Sequence, residues 1–177
     1  MNLYKLNTYL IAGPENINSE TVLKNETQES ALIRLVSDFA NSGLNVFQLR
    51  CKDFSKKEFY KIAETIGSKI INTECKFCIN DDVDVTIQLK EKVNILHLGQ
   101  DDMHPTKAKK MIGDHILLGL SITDISQIYK IPEIVDYIGV GPVYKTASKS
   151  DASKPMGIST VRNIIDKVKI PVVAIGG

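Results

Sequence analysis

Short apolar runs alternate with segments of helical periodicity along most of the chain, and this alternation constrains the fold more than any other feature. Strands are predicted at Tyr9–Ala12, Val46–Arg50, Phe77–Asn80, Ile95–Leu98, Ile116–Leu120, Tyr137–Val140 and Val172–Ile175. A helical pattern follows each of the first six strands. Repeated strand and helix units of this kind predict a parallel sheet covered by helices. We therefore expect an α/β protein.

The helical segments differ in length. Two long ones, Gln28–Asn41 and Lys56–Ile71, carry apolar residues at helical spacing and should cover the outside of the sheet. Shorter helices are predicted at Asp84–Glu91, Pro105–Ile112, Asp124–Ile128 and Ser159–Val168. Asp124 and Ser159 are of the residue types that cap helix N-termini, so we expect them near the caps.

Seven strands are one fewer than a closed (β/α)8 TIM barrel requires, and the sequence ends at Gly177, where the seventh strand would meet a helix. An open barrel leaves the edges of its first and last strands unpaired. We therefore predict one TIM-barrel domain over residues 1–177 that is C-terminally incomplete. Either a further βα unit or another chain, as in a homo-oligomer, would cover the seam.

The composition excludes several classes of protein. The chain has 177 residues, 43% of them hydrophobic and 24% charged, which is ordinary for one globular domain. A formal charge of +1 without a long basic run gives no indication of nucleic-acid binding. The N-terminus lacks the apolar region of a signal peptide, and no segment approaches the length of a membrane span. A cytoplasmic protein with neither a nucleic-acid nor a membrane partner is predicted.

The cysteines are interpreted as reduced thiols. Their number is odd, and the chain carries no secretion signal, so disulfides are disfavoured. The spacing of Cys75 and Cys78 also suggests zinc binding or redox chemistry. That alternative is weaker, because no second ligand pair is present and residues three apart in a strand point to opposite faces.

Cations gather where the second predicted strand ends. The segment reads Gln48-Leu49-Arg50-Cys51-Lys52-Asp53. Arg50 and Lys52 are two positions apart, so in extended backbone they project to the same side, which suits the binding of a diphosphate. A pair of solvated charges is the alternative. Because Lys149 lies in another long loop at the same predicted rim, we favour a substrate that carries phosphate.

Carboxylates follow the next two strands. Asp81 comes directly after the third predicted strand, and Asp102 follows the fourth. Two carboxylates together with phosphate oxygens suit Mg²⁺, a hard cation that usually takes few protein ligands when phosphate supplies others. The alternatives are helix capping by Asp81 or Asp82 and turn formation by Asp101 and Asp102.

Ser121 ends the fifth predicted strand, where Gly119 would let a substrate approach closely. Its hydroxyl could hydrogen-bond an oxygen or relay a proton, and helix capping is the competing role. No nucleophile elbow or triad is visible, so a serine hydrolase is disfavoured. The three histidines, His97, His104 and His115, lack metal-ligand spacing and are interpreted as structural.

These motifs together resemble the thiamine-phosphate synthase family, within the superfamily that also contains the thiazole tautomerases. The resemblance is carried in chain order by Gln48 to Lys52, Asn80-Asp81, His97 to Asp102, Gly119 to Ser121, Gly139 to Tyr144, Thr146 to Lys149 and Ile175 to Gly177. It implies a (β/α)8 transferase that joins a pyrimidine diphosphate to a thiazole phosphate. The products would be thiamine monophosphate and pyrophosphate.

The resemblance also implies roles for individual residues. The pyrimidine diphosphate would be held by Gln48, Leu49, Arg50, Cys51, Lys52, Asn80, Ser121 and Lys149. The thiazole phosphate would contact Thr146, Ala147, Ser148 and Gly177. Asp81 and Asp102 would bind Mg²⁺, and the catalytic groups would be Arg50, Lys52, Ser121 and Lys149.

Two departures and two alternatives accompany the resemblance. Lys145 stands where the family usually has proline, and Ser148 stands where it has threonine. A thiazole tautomerase shares the barrel but has no need of the diphosphate-binding charges. A noncatalytic ligand-binding barrel is the other alternative.

Overall fold

The structure, a computed structural model, describes residues 6–51, 53–146 and 154–176. Its strands are β1 Tyr9–Ala12, β2 Val46–Leu49, β3 Lys76–Asn80, β4 Ile95–Leu98, β5 Leu117–Ile122, β6 Tyr137–Val140 and β7 Val172–Ala174. The α-helices are α1 Gln28–Asn41, α2 Lys56–Ile70, α3 Val83–Gln88, α4 Pro105–Ile112 and α5 Gly157–Lys167. Short 3₁₀ helices occupy Pro14–Asn16, Ser19–Thr21 and Ile125–Lys130.

The strands follow chain order, β1 to β7, in a seven-stranded sheet. The pairs β1–β2, β2–β3, β5–β6 and β6–β7 are parallel. The predicted α/β class is thereby confirmed, whereas a complete eight-unit barrel stays a prediction. The chain divides into two compact units, one up to Leu96 and the other from His97. Among the described residues, no helix has both the length and the apolar character needed to span a membrane.

The first unit buries its core between β1–β3 and the helices α1 and α2. Phe47 and Leu49 of β2 point into this core together with residues of β3, because alternate residues of a strand face the same side. The rings of Phe47 and Phe77 stack with centroids 6.2 Å apart. This packing leaves the other face of the three strands for polar side chains such as Gln48.

Local capping explains where the two long helices begin. The side chain of Thr27 accepts a hydrogen bond from the Ser30 backbone N–H, and Ser30 Oγ accepts from Thr27 N–H in return. Ser55 and Glu58 make the same reciprocal pair at the start of α2. Such capping boxes satisfy backbone donors that the first turn of a helix leaves unpaired. The predicted bounds of α1 are confirmed, and α2 ends one residue earlier than predicted.

Some predicted boundaries were wrong in the second unit. The segment after β5 forms a 3₁₀ helix, Ile125–Lys130, rather than an α-helix, and Asp124 caps it as expected. Helix α5 begins at Gly157, two residues before the predicted start, and its N-cap is Met156, so Ser159 lies in the first turn rather than at the cap. Strand β5 runs to Ile122, which places Ser121 inside the strand rather than after it.

Candidate active site

Gln48 lies within β2, as it does in the predicted strand Val46–Arg50, and it is only 2% exposed. Its Nε2 donates a hydrogen bond to Tyr9 Oη at 2.8 Å and lies 3.4 Å from Cys78 Sγ. The parallel register brings Gln48 level with Cys78, so both project to the face opposite the core. The side-chain amide is therefore held in one orientation by its neighbours.

The residues after Gln48 face different surroundings. The Leu49 side chain is fully buried in the core, so only its backbone could face a ligand, and its role in holding the pyrimidine diphosphate stays a prediction. Arg50 follows β2, and its backbone N–H donates to Ala12 O at 3.1 Å. A Cβ on Gly13 would come within 2.3 Å of the Arg50 carbonyl oxygen. Glycine at position 13 thus allows the end of β1 to pass close to the proposed diphosphate-binding arginine.

A cavity of about 270 Å³ lies in the first unit, where Cys51 follows β2 and Asp81 follows β3. It is lined by Cys51, Phe54, Lys56, Phe59, Asn80, Asp81 and Asp82. The structure thus brings together three residues that the sequence predicted: Cys51, Asn80 and Asp81. Burial, and then the charges of Glu15 and Glu29, raise the pKa of Cys51 to about 12. This thiol is protonated at neutral pH and is not a nucleophile.

Lys56 in the same lining is a cation that sequence reasoning missed. Its Nζ lies 2.5 Å from Asp84 Oδ2, and this hydrogen bond is the main reason why the pKa of Lys56 is raised. As the first residue of an amphipathic helix, Lys56 has the pattern of an ordinary solvated charge. Only the packing of α2 against the cavity distinguishes it from the other exposed lysines.

The sequence left open whether Asp81 or Asp82 caps the next helix, and the structure distinguishes the two residues. Asp82 caps α3, because its Oδ1 accepts a hydrogen bond from Val85 N–H at 2.9 Å. Asp81 instead has φ of +63°, in the left-handed region that aspartate tolerates better than most residues. Asn80 Nδ2 donates to Asp81 Oδ2 at 2.5 Å. The Asp81 carboxylate is exposed at the end of β3, and such unfavourable backbone conformations cluster at functional sites.

In the second unit, Ser121 belongs to a buried chain of hydrogen bonds. Its Oγ lies 2.9 Å from His97 Nε2, and His97 Nδ1 lies 2.9 Å from Tyr137 Oη. His97 is 3% exposed and Tyr137 is fully buried, whereas Ser121 is only half-buried. His97 is therefore buried and hydrogen-bonded within the protein, and one of its partners is the predicted site residue Ser121.

Gly119 has a different role from the one predicted. A Cβ at this position would lie 2.3 Å from Tyr137 Cζ and 2.4 Å from His97 Nδ1. The space is thus filled by the protein's own side chains, so the expectation that it admits substrate was wrong. Any larger residue would push the His97 and Tyr137 rings apart.

Burial lowers the pKa of His97 to about 4, an effect that the charge of Asp102 opposes. In the unfolded chain the pKa returns to about 6.5. The stability that His97 contributes is thus fully present above about pH 6.5 and is lost as the pH falls towards 4.

We expect His97 to make the protein less stable in mild acid. Between about pH 7 and about pH 4.5, the free energy of unfolding of the natural chain should fall by about 2 kcal/mol more than that of His97→Gln. Urea titrations at the two pH values measure this difference. His115→Gln is the control, because His115 is exposed. An equal pH dependence in the natural chain and His97→Gln would contradict the expectation.

Gln100 and Asp102 organise the loop after β4. Gln100 Nε2 donates to the Ser121 carbonyl oxygen at 2.6 Å, and Asp102 Oδ2 accepts from Gly99 N–H at 2.6 Å. Sequence reasoning assigned no role to Gln100, since a glutamine in a polar loop carries no signal of its long-range partner. Asp102 does take part in a turn, which was one of its predicted roles, and its carboxylate is exposed.

The loops after β6 and β7 are joined by backbone hydrogen bonds. Val143 N–H donates to Ile175 O at 2.9 Å, and Tyr144 N–H donates to Gly176 O at 3.4 Å. The residues before Thr146 thereby lie against the end of β7. This places Val143 and Tyr144, which precede the predicted thiazole-phosphate contact Thr146, beside Ile175 and Gly176.

A family model described as thiamine monophosphate synthase matches residues 20–177. The chain belongs to this family. A thiamine-phosphate synthase from Lactococcus lactis subsp. cremoris (strain MG1363) is 35% identical over 176 residues, which cover 97% of this chain and 77% of the relative. The resemblance inferred from the distributed motifs is thereby confirmed.

A further relative and a solved structure are also similar to this chain. A thiamine-phosphate synthase from Methanosarcina barkeri is 37% identical over 143 residues, which cover 80% of this chain and 64% of the relative. The solved structure of a thiamine phosphate pyrophosphorylase from Pyrococcus furiosus matches with a TM-score of 0.76 and 27% identity. That match covers 98% of this chain and 76% of the other.

Several residues to which the family resemblance gives roles lie outside the described part of the chain. They are Lys52, Ala147, Ser148, Lys149 and Gly177. Their roles as ligands of the two substrates stay predictions. Thr146 is described and is half-buried.

The two aspartates fit the Mg²⁺ that the family resemblance implies. Both carry exposed carboxylates at strand ends, and in each the Oδ2 atom accepts a local hydrogen bond. Carboxylate oxygens are the hard donors that Mg²⁺ prefers. Within residues 6–51, 53–146 and 154–176, no group of three or more His, Cys, Asp or Glu side chains is arranged to hold a metal ion. The role of Asp81 and Asp102 as Mg²⁺ ligands stays a prediction.

Proposed function

We propose that this member of the thiamine-phosphate synthase family joins a pyrimidine diphosphate to a thiazole phosphate and releases pyrophosphate. The observation that carries the activity is the family match over residues 20–177. The reaction transfers the pyrimidine methylene group, so the protein is a transferase with small-molecule substrates. We place it in the cytoplasm, and we retain the homo-oligomer as a proposal.

The proposed chemistry is a dissociative substitution. The C–O bond between the pyrimidine methylene and the diphosphate breaks, and its electron pair leaves with pyrophosphate. The resulting carbocation is stabilised by the aminopyrimidine ring, and the thiazole nitrogen supplies the lone pair that forms the new C–N bond. No proton has to be removed from the nucleophile. Protonated Cys51 and neutral His97 agree with a site that needs no strong base.

The protein's contribution is to bind the substrates and to stabilise charge on the leaving group. Arg50 would donate charge-assisted hydrogen bonds to the diphosphate, and Lys52 and Lys149 are assigned the same function. The Ser121 hydroxyl group would donate a hydrogen bond to a diphosphate oxygen. Gln48, whose amide is held by Tyr9, would orient the pyrimidine.

Mg²⁺ would be held by Asp81 and Asp102. When bound, it supplies positive charge that neutralises the phosphate oxygens. Asn80 supports this assignment, because its amide hydrogen-bonds one oxygen of Asp81 and so orients the carboxylate.

The activity can be tested directly with the purified chain. Supplied with pyrimidine diphosphate, thiazole phosphate and Mg²⁺, it should form thiamine monophosphate and pyrophosphate in equal amounts, as followed by ³¹P NMR. Omission of either substrate should abolish both products. Binding of both ligands without any product would favour the noncatalytic barrel. Isomerisation of a thiazole carboxylate with no use of the diphosphate would favour the tautomerase.

A further inference from the structure

His97 and Tyr137 have no role in the substitution described above, yet they form a buried pair that ends on Ser121. We propose that they are positioning residues that turn the hydroxyl proton of Ser121 towards the bound diphosphate. This inference rests on the proposed function, because it assumes that Ser121 donates to that substrate. Neither ring is exposed enough to contact the substrate itself.

The number of protons that His97 and Tyr137 carry decides whether Ser121 can donate a hydrogen bond to the substrate. A neutral imidazole has one N–H donor and one nitrogen acceptor. If Nδ1 carried the proton and donated to Tyr137 Oη, then Nε2 would accept the Ser121 proton, and none would remain for the substrate. If Tyr137 Oη donates to Nδ1, then Nε2–H donates to Ser121 Oγ. The serine hydroxyl group is then free to donate its own hydrogen bond to the substrate.

The ligand selects between the two arrangements. Diphosphate oxygens only accept hydrogen bonds, so a Ser121 hydroxyl in contact with them must donate. The low pKa of His97 excludes a doubly protonated ring near neutral pH. The Nε2–H form is therefore the one that allows Ser121 to bind an anion.

The surrounding backbone supports this positioning role. The parallel register sets Gly119 beside Tyr137 and Ser121 beside Gly139. A Cβ at Gly139 would lie 3.0 Å from His97 Cε1, so both glycines make room for the pair. Gln100 holds the Ser121 carbonyl oxygen at 2.6 Å. With its backbone held, Ser121 depends on His97 for the direction of its hydroxyl group.

The first test reads the position of the proton. In ¹⁵N-labelled protein near neutral pH, long-range ¹H–¹⁵N spectra should show His97 as the neutral Nε2–H form. In Tyr137→Phe the proportion of the Nδ1–H form should rise. Finding the Nδ1–H form in the natural protein with diphosphate bound would overturn the proposal. The measurement on the natural protein needs no variant and so does not depend on whether Tyr137→Phe folds.

The second test separates positioning from simple structural support. In His97→Asn the amide is too short to reach Ser121, and the single-turnover rate should fall about tenfold, the value of one hydrogen bond. His97→Gln extends as far as Nε2 and should recover most of the rate. In a Ser121→Ala background, His97→Asn should have no further effect, because the group that it positions is gone. Tyr129→Phe is the matched control for Tyr137→Phe, since Tyr129 is 74% exposed.

The outcomes distinguish this inference from the proposed function. If Ser121→Ala leaves the rate unchanged, the proposed role of Ser121 is wrong and the inference fails with it. If Ser121→Ala slows the reaction but His97→Asn slows it equally in both backgrounds, only the positioning role is overturned. If His97→Asn slows the reaction only when Ser121 is present, the positioning role is supported.

Discussion

Removal of divalent cations by chelation should lower the rate of thiamine monophosphate formation by about a thousandfold or more, because metal stabilisation of transition-state charge is worth several kcal/mol. The departing diphosphate carries the charge that Asp81 and Asp102 would help to neutralise through the cation. Addition of Mg²⁺ in excess of the chelator should restore the rate. Full activity after chelation would contradict the assignment.

The two aspartates can be tested separately. Asp81→Asn and Asp102→Asn should each raise the Mg²⁺ concentration needed for half-maximal activity by about tenfold or more, since each removes one charged ligand. Asp101→Asn is the matched control, because it makes the same change at an exposed neighbour of Asp102. An unchanged Mg²⁺ dependence in Asp81→Asn or Asp102→Asn would remove that residue from the proposed site.

Arg50→Ala should slow the chemical step about a hundredfold, because it removes a charge-assisted contact worth roughly 2–3 kcal/mol in the transition state. Arg50→Lys should recover only part of the rate, since lysine keeps the charge but lacks the planar fork. Single-turnover measurements with saturating substrates report this step without the contribution of product release.

Arg162→Ala is the control for the loss of an arginine, because Arg162 is exposed on α5. It should leave the single-turnover rate unchanged. A single-turnover rate and a KM for Arg50→Ala that both equal those of the natural chain would exclude the proposed contact. A raised KM with an unchanged single-turnover rate would assign Arg50 to substrate binding alone.

Most secondary structure could be predicted from the sequence, because strand and helix periodicities are local. The bounds of α1, α4, β1, β4 and β6 agree with the prediction. The larger errors fall on short elements, whereas the long helix α2 differs from its prediction by one residue. The segment Ile125–Lys130 is only six residues long, so few apolar positions distinguish a 3₁₀ helix from an α-helix. Ser159 is a favourable capping residue by type, but α5 begins before it.

The chemical groups that follow several of the strands could also be identified from the sequence. Arginine and carboxylates after β2, β3 and β4 were visible because the ends of parallel strands share one side of a sheet and polar residues there interrupt apolar runs. The family resemblance came from the same strand-end motifs, and the comparisons confirmed it.

How these groups are held depends on contacts between residues that lie far apart in the sequence. His97 lies 24 residues from Ser121 and 40 from Tyr137, and no local pattern links residues at such separations. Tyr137 and Gly119 read as ordinary parts of apolar strands, and only the pairing of β5 with β6 shows that the glycine makes room for the tyrosine. Periodicity determines elements locally, whereas hydrogen-bond partners across a sheet depend on its register and packing.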